Sequence, residues 1–405
     1  MADIRVFRAL RPRADVAARV AAVPYDVVST DEARALASTE PLSFLHVSRA
    51  EIDLPADVSP YGEDVYSGAR RRFEALREEM VQEDEPALYL YRLRMGDHVQ
   101  TGLAACYSVS DYERQVIKKH ERTRPDKEDD RTRHIIELRA QTGPVFLTYR
   151  RRADLDAIVE RVVEGHAPLY DFTASDGVVH TIWRVPDADA RAIARAFEDV
   201  PALYIADGHH RAASAARVHE HFARTEPGLD AEHAWFLAVA FPDDQVQILP
   251  YHRVVTDLAD VPAGRLLDDV QKRFEATLDG SAPVRRGECA MYLAGDWYRL
   301  RLDADAPSAD PIADLDVSRL QERVLGPLLG VGDPRTDPRL DFVGGLRGAR
   351  ELERLVDEGR AAVAFALFPV NVNDLIAVSD AGGIMPPKST WFEPKLRDGL
   401  LTHLI

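Results

Sequence analysis

Apolar residues recur along the chain with two different spacings, and these spacings predict helices and strands in alternation. A spacing of three or four residues predicts helices at 31–37, 61–83, 155–163, 188–197, 261–274, 317–329 and 373–378. Short apolar runs bounded by Gly, Pro or Asp predict strands at 44–47, 87–95, 99–109, 147–149, 180–185, 202–206, 235–241, 246–255, 291–302 (a hairpin) and 362–368. This alternation predicts an α/β protein with a mixed sheet and additional α+β segments.

One strand-turn-helix junction gathers polar residues that could bind an anion. The buried strand Ala202–Ala206 leads into Asp207-Gly-His-His-Arg211, and a run of alanines then predicts a helix. The first helical turn offers N–H groups without intrahelical partners, and the helix dipole favours a phosphate there. A capped helix with solvated histidines is the simpler alternative. The predicted phosphate-binding residues of this turn are Gly208, His209, His210 and Arg211.

Composition narrows the classes of function. The chain has 405 residues, and a formal net charge of −17 argues against non-specific binding to nucleic acid or to an anionic membrane. Its N-terminus has no apolar leader and its longest apolar runs are of strand length, so we expect a cytoplasmic protein that does not span a membrane. Cys106 and Cys289 lie in apolar runs, which predicts buried reduced thiols.

Lysines are rare and clustered. Of the 51 basic residues only 6 are lysine, and five of these fall in two stretches, 118–127 and 388–395. A compact ammonium suits phosphate oxygens, although the clustering could be chance. The first stretch lies in the charged segment 112–133, interpreted as a functional loop rather than a solvated loop or helix. The second lies in a proline-rich stiff loop, where Lys388, Ser389 and Thr390 are candidate phosphate ligands.

Two N-terminal segments carry polar residues that could line a substrate pocket. Tyr25 and Asp26 belong to a Pro-Tyr-Asp turn, and His46 lies in the strand predicted at 44–47. Each of these polar residues could equally be a helix cap or a satisfied structural group. The sequence therefore offers Tyr25, Asp26 and His46 as candidate substrate-binding residues.

Four separated motifs together resemble one family of proteins. The motifs are PYDV at 24–27, DYERQVIKKHERTRPDKEDDR at 111–131, YIADGHHR at 204–211 and MPPKSTWFEPK at 385–395. In this order they are similar to a widespread family with a ParB/sulfiredoxin-like core. The resemblance implies an N-terminal α/β segment at 1–105, a catalytic core at 106–256, and a C-terminal α/β segment at 257–405 whose last loop returns to the site.

Some relatives of this core are free L-serine kinases, which form O-phosphoserine from a nucleotide phosphate donor. Sulfiredoxin-like enzymes have a cysteine where this chain has His209, and ParB-like proteins carry a DNA-binding helical domain that is not visible here. The resemblance therefore implies a phosphotransferase that uses ATP, ADP or pyrophosphate with Mg²⁺ and acts on free serine or a similar hydroxyl compound, without a nucleic-acid partner. A nucleotide-binding regulatory protein without turnover is the competing hypothesis.

The resemblance also suggests roles for individual residues. His120-Glu121 is similar to the His-Glu pair that supplies the catalytic glutamate of the free serine kinases. Asp207 is the alternative base or a Mg²⁺ ligand, and the sequence leaves this choice open. Lys127 and Arg131, in the same charged segment, are further candidates for binding the donor phosphates. The oligomeric state is left open.

Overall fold

The computed structural model describes residues 2–228, 231–278, 282–283, 285–303 and 308–405. The chain forms two compact units. The first unit comprises Met1–Val246 and Pro394–Ile405, and the second comprises Gln247–Glu393. The last residues of the chain therefore belong to the unit that also contains its N-terminal half.

The strands are short, and most lie in one of two large sheets. In chain order they are β1 (Ile4–Arg5), β2 (Ala9–Pro12), β3 (Met80–Gln82), β4 (Tyr89–Met95), β5 (His98–Ser108), β6 (Ile117–Lys118), β7 (Ala140–Gln141), β8 (Val145–Tyr149), β9 (Tyr170–Thr173), β10 (Val179–Arg184), β11 (Leu203–Asp207), β12 (Trp235–Pro242), β13 (Gln247–Leu249), β14 (Tyr251–Val255), β15 (Thr277–Leu278), β16 (Glu288–Leu293), β17 (Asp296–Arg301), β18 (Leu340–Gly344), β19 (Val363–Leu367), β20 (Trp391–Glu393) and β21 (Thr402–Leu404).

Helices separate most of these strands. In chain order they are α1 (Ala17–Val20), α2 (Thr30–Ala37), α3 (Leu45–Ser48), α4 (Glu63–Leu76), α5 (Val109–Glu113), α6 (Pro125–Leu138), α7 (Ala153–Gly165), α8 (Asp187–Phe197), α9 (His209–Thr225), α10 (Ala263–Arg273), α11 (Asp316–Leu320), α12 (Gly326–Leu329), α13 (Gly348–Asp357) and α14 (Val372–Asp380). Short 3₁₀ turns occupy Ala50–Asp53, Arg77–Glu79, Ala231–Ala234 and Gly345–Arg347, and a π-helical turn occupies Gln321–Leu325.

A nine-stranded mixed sheet forms the centre of the first unit. Its order is β6-β11-β8-β12-β5-β4-β10-β9, and β1 lies along β5. Strand β11 is parallel to β6 and antiparallel to β8, while β8 is parallel to β12. The mixed α/β class predicted from the sequence is confirmed. The predicted boundary after residue 105 lies inside strand β5, and the one after residue 256 lies ten residues beyond the start of the second unit.

Helices α7, α8 and α9 bury their apolar residues in one cluster with this sheet. Ile158 of α7, Ile193 of α8 and Ala212 of α9 belong to the same buried cluster as Leu203 and Ile205 of β11. Burying such side chains supplies the main stabilisation of the sheet, at roughly 25 cal/mol per Å² of apolar surface. Strand β11 is thereby held firmly, which fixes the place of the polar residues that follow it.

Three sequence-based predictions for the first unit were wrong in whole or in part. The helix predicted at 61–83 ends at Leu76, and Met80–Gln82 form strand β3. Residues 44–47, predicted as a strand, lie at the start of helix α3, because a four-residue apolar run does not distinguish a strand from a buried helical turn. Half of the charged segment 112–133, interpreted as a functional loop, is helical, since its first residues end α5 and residues 125–133 begin α6. Helix α6 begins with Pro125 at its first position, and Asp126 and Glu128 lie in its first turn, where they complement the helix dipole.

The second unit contains a six-stranded sheet, in the order β15-β17-β16-β19-β14-β18, and the pair β13-β20. The strand predicted at 246–255 is interrupted at Pro250, which has no N–H to donate to a ladder. The helix predicted at 317–329 consists of α11, the π-helical turn Gln321–Leu325 and α12. Within the part of the chain that the structure describes, no helix has the length and apolar character needed to cross a bilayer.

Close packing between β5 and β12 leads to a test of the central sheet. A Cβ atom at Gly102 would lie 2.7 Å from Val239 and 2.8 Å from Phe241, so Gly102→Ala should lower the free energy of unfolding by about 1–3 kcal/mol. The control is Gly165→Ala at the end of α7, where a Cβ meets nothing within 4 Å. Chemical denaturation followed by circular dichroism measures both. Equal stability of the two variants would contradict the packing.

Candidate functional site

Sheet topology brings three segments together at one edge of the nine-stranded sheet. Strands β6 and β11 are parallel, with Leu203 opposite Ile117, so their carboxyl ends meet at the same edge. Strand β8 is antiparallel to β11 and therefore starts there. Lys119, His120 and Glu121 follow β6, the residues after β11 begin at Gly208, and Pro144 precedes β8. Residues distant in sequence thus become neighbours.

The turn between β11 and α9 depends on a glycine. Gly208 has φ +90°, in the left-handed region that L side chains rarely adopt, and a Cβ there would lie 2.9 Å from Nε of Arg211. Helix α9 then runs for 17 residues, with His209, His210 and Arg211 in its first turn. The backbone N–H groups of this turn have no intrahelical acceptors, which favours an anion in front of the helix.

Asp207, the last residue of β11, is paired with two cations. Its Oδ2 accepts a hydrogen bond of 2.9 Å from Arg211, and its Oδ1 lies 3.4 Å from Nζ of Lys395. Burial would raise the pKa of Asp207, but Lys395 and Arg211 hold it well below its ordinary value. Asp207 is therefore an ionised carboxylate that fixes the positions of both cations.

Arg211 is buried and donates from both terminal nitrogens to the protein, while its Nε has no hydrogen-bond partner among the described residues. Besides Asp207 it bonds the carbonyl of Pro144, which joins α9 to the segment before β8. Burial would lower the pKa of its guanidinium, but Asp26, Asp207 and Asp398 raise it. The predicted contact of Arg211 with a donor phosphate stays a prediction, since the structure shows this side chain as a tie between elements.

Two buried histidines stand side by side at the turn. The rings of His120 and His209 meet edge to face, with centroids 4.5 Å apart. Burial lowers the pKa of His120 to about 4 and that of His209 well below its usual value, so both rings are neutral near pH 7. The Nδ1 atom of His209 lies 3.7 Å from Oε2 of Glu121, an exposed residue. The turn therefore holds a carboxylate beside neutral imidazoles.

His210 connects the two helices that start at this edge. Its Nε2 atom accepts a 3.0 Å hydrogen bond from the backbone N–H of Arg124, the residue just before α6. On α6, Lys127 donates to the hydroxyl of Tyr61 at 2.9 Å. His210 and Lys127 thus hold the charged segment in place, a role that the sequence did not reveal.

A small pocket lies next to the turn. Its cavity volume is about 40 Å³, which is room for about three waters. Arg131 lies with its guanidinium 4.1 Å from the centre of the Tyr25 ring and donates to Asp130 and to the carbonyl of Ser48. Its charged and polar lining residues include Tyr25, Ser48, Arg131, Arg211 and Asp398.

Asp398 is the unusual group of this pocket. It is 3% exposed, and its Oδ1 has no hydrogen-bond partner among the described residues. Burial raises the pKa of Asp398 to about 7, despite the opposing attraction of Arg211 and Arg131. A Cβ atom at Gly143 would lie 2.7 Å from this Oδ1 atom, so a glycine at this position leaves room for the carboxyl group of Asp398.

The predicted substrate-binding residues are found in different settings. Tyr25 is buried in the pocket, and Asp26 is exposed but close enough to act electrostatically on Arg211 and His210. His46, on helix α3, pairs through Nδ1 with Asp53 at 2.8 Å and does not line the pocket. His46 thus lies in the helical N-terminal region, and a substrate-binding role for it stays a prediction.

Three predicted phosphate ligands lie in the second unit. Lys388 is exposed, with its Nζ 5.6 Å from the ring centre of Tyr251. Ser389 is buried and donates its hydroxyl to the carbonyl of Pro386 at 2.7 Å. Their neighbour Thr390 is partly buried. The hydroxyl of Ser389 thus stabilises its own loop, and a phosphate role for the three residues stays a prediction.

The structure also reveals site residues that were not proposed as ligands from the sequence. Lys395 belonged to the clustered lysines, which was a usable signal, but its ion pair with Asp207 depends on tertiary structure. Asp398 stood in no pattern at all. Both are brought to β11 because residues 394–405 belong to the first unit.

Asp207 is poorly placed for its expected role as a Mg²⁺ ligand, because each of its carboxylate oxygens already faces a cation of the protein. Within the described residues, no group of three or more His, Cys, Asp or Glu side chains is placed to hold a metal ion. The charge of Asp207 is used instead to position Arg211 and Lys395.

Asp398 leads to a pH-dependent stability prediction. Its folded pKa of about 7 exceeds the value of about 3.9 expected in the unfolded chain, so the folded state binds more protons between these values. Its contribution to stability is therefore complete below about pH 4 and is lost progressively between about pH 4 and pH 7. Relative to wild type, Asp398→Asn should gain stability between pH 5 and pH 8, by on the order of 3 kcal/mol.

Chemical denaturation at the two pH values measures this difference. Asp57→Asn, at an exposed position, serves as the control and should show the pH dependence of wild type. The same dependence in Asp398→Asn would contradict the buried carboxyl.

Comparison with solved structures gives several distant likenesses. A free serine kinase mutant in complex with AMP aligns at a TM-score of 0.37 and 14% identity, over 73% of this chain and 92% of the other. SbnI with a C-terminal truncation, from Staphylococcus aureus, gives 0.40 and 12%, over 74% and 87%. A conserved hypothetical protein from Pyrococcus furiosus gives 0.36 and 12%, over 74% and 95%.

A search of curated proteins finds no match. A family match, in contrast, spans residues 4–318, which is more than half of the chain. This match includes the β6 and β11 ends, the turn at Gly208 and both helices that start there. The chain therefore belongs to the family described as "Protein of unknown function (DUF1015)".

Proposed function

We propose that this protein is a phosphotransferase that moves a phosphate from ATP, ADP or pyrophosphate to the hydroxyl of free L-serine, giving O-phosphoserine. The observation that carries the proposal is the convergence, in front of helix α9, of a glycine turn, two neutral histidines, a lysine and an exposed carboxylate. The turn at 207–211 and the pair His120-Glu121, which resemble their counterparts in the free serine kinases, support the same choice.

The donor phosphates are assigned to the N-terminus of α9. The backbone N–H groups of its first turn and the helix dipole suit phosphate oxygens, and Gly208 allows close approach. Lys395, held by Asp207, supplies a compact positive charge at the same turn. Lys119 adds a second positive charge, close enough to lower the pKa of His209. In a chain of net charge −17, this local excess of cations supports a focused anion site.

Glu121 is the proposed base. Phosphoryl transfer through a loose transition state requires mainly positioning and charge stabilisation, so a carboxylate need only orient the hydroxyl and accept its proton late. The side chain of Glu121 is 48% exposed and lies 3.7 Å from the ring of His209, beside the turn proposed for the donor. Asp207 is less suited to this role, because its oxygens are paired with Arg211 and Lys395.

The small pocket is assigned to the ends of the acceptor amino acid. Arg131 offers a positive charge and Asp398 a negative one, which matches a carboxylate and an ammonium group. Its volume of about 40 Å³ suits a small polar head group and excludes a nucleotide. Binding an ammonium would also give Oδ1 of Asp398 the partner that it lacks among the described residues.

Phosphorus NMR tests the proposal directly. The full chain is incubated with Mg²⁺, one donor at a time (ATP, ADP or pyrophosphate), and L-serine, L-threonine, L-homoserine or glycerol. We expect O-phosphoserine to form with at least one donor, and serine to be the preferred acceptor. Nucleotide binding without phosphorylated product from any pair would instead support the regulatory alternative and overturn the phosphotransferase.

The role of Glu121 gives a kinetic prediction. Glu121→Gln keeps the shape of the side chain but removes its basicity, so turnover should fall by roughly 10²–10⁴-fold. Donor affinity should change little, because the donor is assigned to the backbone turn and the lysines. Glu113→Gln, at an exposed position on α5, is the matched control. Full turnover in Glu121→Gln would contradict the assignment of Glu121 as the base.

A further inference from the structure

The second unit contains a larger pocket that the proposed reaction does not use. Its cavity volume is about 270 Å³, which approaches the size of common small-molecule sites. Its walls are mainly apolar. The apolar side chains that line it include Ile312, Val317, Leu325, Leu340 and Ile384. Glu322, Asp333 and Arg335 are exposed, and their charges are screened by water. The pocket could therefore bury an apolar body of several carbon atoms.

Arg253 lines this pocket as a buried cation, and none of the described residues supplies it with a carboxylate partner. It is 3% exposed, on strand β14, and its guanidinium lies 5.0 Å from the ring centre of Phe342. Its hydrogen bonds go to the carbonyls of Tyr251, Pro387 and Lys388. Among the residues that the structure describes, no Asp or Glu forms an ion pair with it. Burial lowers the pKa of Arg253 to about 9.

A buried charge is costly unless it is paired, so an unpaired guanidinium at a cavity wall points to a counter-ion from outside. A guanidinium has five N–H donors, and three of them are used by the carbonyls, which leaves two. These two match the oxygens of a carboxylate or a phosphate.

Two further polar atoms of the pocket lack partners among the described residues. They are Oγ of Ser318, a residue 6% exposed, and Oε1 of Gln321. Gln321 begins the π-helical turn that interrupts the helix after α11, and such turns occur often at functional sites. The pocket thus combines an unpaired cation, unpaired hydrogen-bonding atoms and apolar walls.

We propose that this pocket binds a small organic anion, whose carboxylate or phosphate head pairs with Arg253 while its apolar body packs against Ile312, Leu325 and Ile384. The site is independent of the proposed phosphotransferase. The simpler interpretation is that Arg253 has only a structural role, because its hydrogen bonds to carbonyl groups tie residues 386–388 to β14. That reading accounts for the hydrogen bonds, but it leaves the charge unpaired beside an open cavity.

Calorimetric titration of the full chain tests the proposal with three matched probes: phenylacetate, phenyl phosphate and the neutral phenylacetamide. A charge-assisted pair with Arg253 should make at least one anion bind about tenfold or more tighter than the amide. Comparison of the two anions tells a carboxylate ligand from a phosphate ester. Equal or weaker binding of both anions relative to the amide would overturn the proposal.

Three variants locate the binding. Arg253→Met should abolish the preference for the anion, and Ile384→Trp, which fills the cavity, should weaken binding by about tenfold or more. Arg265→Met removes an exposed arginine of the second unit that does not line the pocket, and it should keep the preference of wild type. Anion binding that survives Ile384→Trp, or a preference retained by Arg253→Met, would show that the anion binds elsewhere. If Arg253→Met does not fold, the result with Ile384→Trp decides.

Discussion

The buried guanidinium of Arg211 is the interaction on which the rest of the site depends. It pairs with Asp207 at the end of β11, bonds the carbonyl of Pro144 before β8, and lies in the field of Asp26 and Asp398. Removing one member of a buried charge network leaves another uncompensated, at a cost of about 3–5 kcal/mol. Arg211 therefore holds β8, β11 and α9 in one geometry, and that geometry places the first turn of α9.

Charge balance then explains the rest of the arrangement. Asp207 carries one negative charge against the two positive charges of Arg211 and Lys395, so one positive charge remains in front of α9 and adds to the potential of the helix terminus. Two charged imidazoles at the same place would repel both cations. Burial keeps His120 and His209 neutral instead, as hydrogen-bonding groups beside Glu121. The site is thus suited to receive an anion without being strongly charged before the anion arrives.

The elements that depend on neighbouring residues could be predicted from the sequence. The contacts that depend on tertiary structure could not. The strand, turn and helix around Gly208 could be read from a buried run, a glycine and a run of alanines. His46 was misplaced because four apolar residues fit a strand and a helical turn equally well. Asp398 could not be found from the sequence, since its burial and its place beside Arg211 depend on residues 394–405 joining the first unit. The same holds for the partners of Lys395 and His210.

A crystal structure of the full chain with ADP tests the central claim most directly. The account predicts that the terminal phosphate lies within hydrogen-bond distance of the backbone N–H groups of His209, His210 or Arg211, with Lys395 beside it and Glu121 facing the phosphorus atom. A nucleotide bound away from this turn, with the first turn of α9 left in contact with solvent alone, would contradict the account.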